Sequence, residues 1–399
     1  PSDTLRSMNA NLILLTLCQG LFFTNNVTFI AINGLVGLSM APLGWMATLP
    51  VMGYVVGGAL STGLVAKTQS RFGRRISFQL GLLVALFSAL LAAYAAWSHN
   101  FWLLVCATVI AGYYSANGQL YRFAAAELSV ESFREKAVSL VMAGGLIGAI
   151  VGPNLASRTK GILETPFMGA YLALAGVAVL GLVVISFIRF PALPPKKVGD
   201  AVGRPLPEIM RQPIFIVAAA TAALSYGVMN LLMAATPLAM QVCGYGFSDA
   251  ALVLEWHVIG MFAPGFFTGA LIKRFGALQI MAVGVLLNFL CIAVALSGVD
   301  LHQFLISLFL LGVGWNFLFT GSTTLSMKAW SPEEKDRGQA AINFCVFATM
   351  AVTSFASGAL VTTQGWTLLN IGSTVPVAIA GLSLLWLWLR QKNARPASA

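Results

Sequence analysis

From Ser7 to Ala66 the chain carries no Asp, Glu, Lys or Arg, and from Gly338 to Leu389 it again carries none. A soluble domain cannot sustain uncharged stretches of that length, because about a quarter of its residues are charged. Here 9% are charged and 58% are hydrophobic. Shorter charge-free runs at 76–97, 137–157, 165–188 and 303–327 each suit one helical crossing of about 20 residues. The two longest runs predict two crossings apiece, joined by turns near residues 34–43 and 362–365. A transmembrane β-barrel is excluded, because its strands would alternate polar and apolar residues. The expectation is an all-α membrane protein of twelve spans.

The net charge of +10 raises the question of a nucleic-acid partner, and the location of the charge answers it. With both termini on the cytoplasmic side, the inner loops hold Arg71, Arg74, Arg75, Arg134, Lys136, Lys196, Lys197, Arg204, Arg211, Lys273, Arg274, Lys335 and Arg337, against Arg158 and Lys160 outside. That asymmetry is the orientation signal of a bilayer protein and implies no nucleic acid. The start of the chain lacks a basic n-region followed by a small-residue cleavage site. The first apolar segment is therefore expected to be a retained span, in a chain trimmed ahead of Pro1. The five cysteines form no C-x-x-C pair and predict no disulfide framework.

A charged, proline-rich linker at 189–212 divides the chain into residues 1–188 and 213–399, each expected to form a six-helix bundle. Arg71-Phe72-Gly73 follows the second span, and Arg274-Phe275-Gly276 follows the eighth. A tripeptide recurring at the same point of each half is the pattern of parallel repeats in transporters. Ser70-Arg71-Phe72-Gly73-Arg74-Arg75 resembles the loop between spans two and three of the major facilitator superfamily, Gly-x-x-x-Asp-Arg-x-Gly-Arg-Arg, although Ala66 replaces its Gly and Ser70 its Asp. Gly148-x-x-x-Gly152-Pro153 resembles that superfamily's glycine-proline motif, for which helix packing is the simpler reading. The resemblance implies two bundles rocking about a central site, with Arg71, Gly73, Arg74, Arg75, Arg274 and Gly276 in the conformational loops.

Ionisable and metal-binding side chains inside spans are costly, so they are where to look for a substrate. Met229-x-x-x-Met233 in span seven and His257-x-x-x-Met261 in span eight each share one helix face. Counted from the outer ends of those spans, Met233 is level with His257 and Met229 with Met261. Two antiparallel neighbours would therefore present four soft ligands on two tiers. Thioether and imidazole without carboxylate suit Cu(I) rather than Mg, Ca or Mn; the same pairs serve equally as core packing and a structural histidine. These paired motifs are similar to those of the CcoA-like copper importers, a bacterial branch of the superfamily. That resemblance implies Met229, Met233, His257 and Met261 as copper ligands and copper as cargo rather than a tightly bound cofactor. It also implies import across the inner membrane, supply to cbb3-type cytochrome oxidase assembly, and hand-over to a cytoplasmic copper chaperone.

Met240 and Cys243 are candidates for an outer copper relay, and Glu255 for proton coupling. Arg122 and Glu127 are candidates for a gating pair at the inner end of span four. The alternative is a proton-coupled exporter of drugs or metal chelates. No G-x-x-x-x-G-K-[ST] sequence occurs, and no catalytic constellation rises above chance, so neither an ATPase nor any other enzyme is expected.

Overall fold

The computed structural model describes residues 2–193 and 202–395. Every regular element among them is helical: α1 (Ser2–Met40), α2 (Leu49–Trp97), α3 (Phe101–Gly118), α4 (Tyr121–Glu127), α5 (Arg134–Ala143), α6 (Gly145–Thr159), α7 (Met168–Ser186), α8 (Leu206–Met210), α9 (Pro213–Val242), α10 (Phe247–Phe262), α11 (Thr268–Phe275), α12 (Ala277–Ser297), α13 (Leu301–Ser326), α14 (Lys335–Thr363) and α15 (Gly365–Ala394). Ten stretches are long and apolar enough to cross a bilayer, and the bent pair Ser248–Phe266 and Thr268–Phe275 makes an eleventh. The stretch Met46–Trp97, 52 residues long, is far too long for one crossing of a core about 30 Å thick. Its backbone breaks at Gly73 (φ 86°, ψ 175°), so it counts as two spans, and the total among the described residues is twelve.

Gly73 has its counterpart at Gly276 (φ 91°, ψ 153°), between α11 and α12. Both lie at positive φ, where a Cβ is disfavoured. In each repeat the arginine two residues earlier lies over the intervening phenylalanine ring: Arg71 at 5.3 Å from Phe72 and Arg274 at 5.1 Å from Phe275. The repeated tripeptide is thus a repeated turn, ending one span and starting the next.

Two compact units emerge from the packing: Pro1–Ala201 with Gln339–Ala348, and Val202–Gly338 with Thr349–Ala399. The expected linker lies partly outside the described residues, which exclude Pro194, Pro195, Lys196 and Lys197. In the first unit α6 lies along α1, where a Cβ on Gly148 would meet the Thr24 amide at 2.6 Å, so the glycine-proline stretch packs helices in close approach. In the second unit α10 docks chiefly on α13, with α13 also against α9 and α12. Large apolar side chains such as Ile13, Leu60 and Leu286 point outward, as expected for helices solvated by acyl chains rather than water.

Candidate functional site

Among the polar groups of the first unit, two clusters lie at the spans' interior. Near the Gly73 turn, the break in α2 turns Arg74 inward while Arg71 and Arg75 stay exposed. Arg74 clamps Glu127, Nε to Oε2 at 2.9 Å and Nη2 to Oε1 at 2.7 Å, and also donates to Gln69 at 3.2 Å and to Gln339 at 2.8 Å. A bidentate guanidinium–carboxylate pair with its remaining donors occupied can be kept out of water without a stranded charge. Arg122, 3% exposed, donates to the Gln119 side chain at 3.1 Å and to Asn343 at 2.8 Å, and its guanidinium lies 4.5 Å from the Phe123 ring centre. The expected gating residues Arg122 and Glu127 are therefore each held by further partners: Arg74 for the carboxylate, and two amides for the guanidinium. Gln339 and Asn343, four residues apart on α14, present one face to these arginines.

The second cluster is uncharged. Asn25 donates to the Tyr54 hydroxyl at 3.5 Å, Tyr54 donates to Asn26, and Tyr54 lies 4.5 Å from Phe29. Gln19 is buried, with its Oε1 accepting no hydrogen bond.

In the second unit an aromatic group fills the middle of the spans. Trp315 stacks on Phe319 of the same helix at 5.1 Å and 15°, and Tyr226 from α9 and Phe262 from α10 meet it edge-on at 5.5 and 5.7 Å. The Trp315 indole N–H is buried without an acceptor. Beside it, Asn316 donates to the Met261 carbonyl at 2.7 Å and accepts from Thr268 at 2.7 Å. The i, i+4 spacing of Trp315 and Phe319 is the sequence signal that could have drawn attention to this face; sulfur spacing drew it elsewhere.

The soft-ligand residues are placed as follows. Met229, His257 and Met261 are buried, Met233 is half-buried, and Met240 is fully buried. The His257 ring turns to α13: its Nδ1 lies 2.7 Å from the Leu308 carbonyl, which requires the proton on Nδ1, and its buried Nε2 has no hydrogen-bond partner among the described residues. Gly312 lets α13 approach this point, where a Cβ would meet the Met261 amide at 2.8 Å. Cys243 caps the exposed end of α9, and Glu255 is exposed on α10. Spans seven and eight are neighbours in sequence, but α10 presents its histidine to α13.

The profile of the Major Facilitator Superfamily matches residues 12–293 and 222–399. The chain is 38% identical over 387 residues to the riboflavin transporter RfnT of Brucella anthropi, covering 96% of this chain and 97% of that one. Among solved structures, the human organic anion transporter MFSD10 superposes with a TM-score of 0.78 at 14% identity, covering 94% of this chain and 99% of that one. FucP in its outward conformation gives 0.74 at 16% identity, with the same coverage. At those identities the two structures speak for the fold alone.

The relative over nearly the whole chain corrects the functional expectation. A protein 38% identical over 96% of the sequence is a riboflavin transporter, so neither copper import for cbb3-type oxidase assembly nor the exporter alternative is carried further. The physical reason for the error is that two four-residue spacings of Met and His recur easily in apolar helices that use Met as filler. They outweighed a more extensive feature, the aromatic and neutral polar side chains spread over several spans.

Proposed function

The chain belongs to the major facilitator superfamily, and from that premise we propose that it carries riboflavin, or a flavin of the same shape and charge, across a bacterial cytoplasmic membrane by alternating access. The likeness over nearly its full length to a riboflavin transporter carries the reading. The chemistry of the interior supports it. Riboflavin is a flat tricyclic ring with a uracil-like edge and a polyol tail, uncharged at neutral pH. Such a ligand calls for aromatic faces and neutral donors and acceptors rather than fixed charges. Within the second unit Trp315, Tyr226 and Phe262 form a buried aromatic group, and within the first Asn25, Asn26, Tyr54 and Gln19 are neutral polar side chains inside the spans. Residues 1–188 and 213–399 act as the two halves, with both termini cytoplasmic, as the basic inner loops favour.

Riboflavin fluorescence offers the direct binding test. Titrating purified protein into riboflavin should quench its emission saturably. Trp315→Leu, which removes the centre of that aromatic group, should weaken the apparent affinity by roughly tenfold, the scale of one lost aromatic contact. Absence of saturable quenching by the wild-type chain would overturn the reading.

A further inference from the structure

At one end of the second unit, a recess of about 450 Å³ opens between the start of α12, the turn after α13 and the last turns of α15. Three cations line it, Lys328, Lys392 and Arg395, together with the amides of Gln279 and Gln391 and the ring of Trp388; among the described residues no acid does. Lys392 and Arg395 come from α15 and its C-cap, and Lys328 from the turn that ends α13. All three side chains are exposed. The Lys392 ammonium is already placed over Trp388, 5.2 Å from its centre.

Basic residues at span ends are ordinarily a dispersed orientation signal. These differ in converging on one concave site from separate elements, with apolar Leu278 and Leu325 in its wall. Glu334, engaged by Arg204 at 2.8 Å, does not line the recess. The start of α12 has no side-chain cap, because Gly276 precedes it, so the first amides of α12 add to the positive potential there.

The geometry points to a binding site for the phosphate headgroup of an anionic phospholipid, held by Lys328, Lys392 and Arg395. A phosphodiester at the water–lipid boundary meets all its needs in this recess: three cations for the phosphate, two amides for the glycerol hydroxyls, and a tryptophan at the depth such rings favour. A soluble phosphate would find the same cations but would make no use of the apolar wall or the tryptophan.

The test is native mass spectrometry of the full chain in detergent, titrated separately with cardiolipin, phosphatidylglycerol and phosphatidylcholine, and with inorganic phosphate as competitor. The wild-type chain should retain one anionic lipid in preference to phosphatidylcholine. The combined variant Lys328→Ala, Lys392→Ala, Arg395→Ala should lose roughly tenfold or more of that affinity. Lys67→Ala, Arg134→Ala, Lys160→Ala removes as much charge elsewhere and should retain the lipid. The single change Arg395→Gln, at the exposed end of α15, should weaken retention in part and removes misfolding as an explanation. Equal loss in both triple variants, equal retention of phosphatidylcholine, or complete displacement of lipid by millimolar inorganic phosphate would each overturn the proposal. None of these readouts involves a flavin, so they stand apart from the transport reading.

Discussion

Glu334 has a side chain only 2% exposed, at the loop before α14. Arg204 donates to it from its backbone amide and from Nε and Nη2, at 2.6 to 2.9 Å, and the Ser331 amide adds another bond at 2.9 Å. The Arg204 guanidinium, foremost, holds the Glu334 carboxyl well below the usual carboxylate range. A folded value below the unfolded one contributes stability that is complete above the unfolded value of about 4.3 and is lost as pH falls through that region towards the lowered folded value. The melting temperature of the wild-type chain should therefore fall below about pH 4 more steeply than that of Glu334→Gln, which has no proton to take up. Parallel profiles for the two would contradict this. Val202–Arg204 is also pinned to the start of α14, since Arg337 donates to the carbonyls of Val202 and Arg204 at 2.8 and 2.9 Å.

Among the elements, the turn between α11 and α12 is the most directly testable. Gly276 at φ 91° is strained for any side chain, and a Cβ would also meet Gln279 Oε1 at 2.8 Å. Gly276→Val should cost about 1–3 kcal/mol, the strain of an L-residue held at that positive-φ extended conformation, and lower the melting temperature in detergent. An unchanged melting temperature would mean that the turn is not under this constraint. Gly73, the repeat counterpart, should respond in the same direction. These turns were legible in the sequence because charge and glycine punctuate apolar runs, and the twelve spans were legible for the same reason. Lateral neighbours were not. Which face of α10 meets which helix is set by small residues such as Gly312 that permit backbone approach, and these are too common in spans to be read without coordinates. His257 illustrates the consequence: its place inside a span was correct, but its partner, the Leu308 carbonyl, lies fifty-one residues away. The aromatic face formed by Tyr226, Phe262 and Trp315 was hidden in the same way, since three helices must assemble before it exists.

At the scale of the whole molecule, both units bury aromatic rings, but among the described residues only the first also buries a guanidinium–carboxylate pair and a second arginine. The orientation proposed from loop charge puts the end of α9 on the outer side. A membrane-impermeant maleimide should then label exposed Cys243 in intact cells, with Cys243→Ser as the control. Labelling only after the membrane is opened would reverse the orientation.

The substrate itself is the central claim, and transport decides it. Purified chain reconstituted into vesicles should accumulate riboflavin faster than protein-free vesicles, with saturation and with competition by unlabelled flavin but not by copper. Riboflavin flux indistinguishable from that of protein-free vesicles, at matched reconstitution and in the presence of an imposed pH gradient of either direction, would contradict the account.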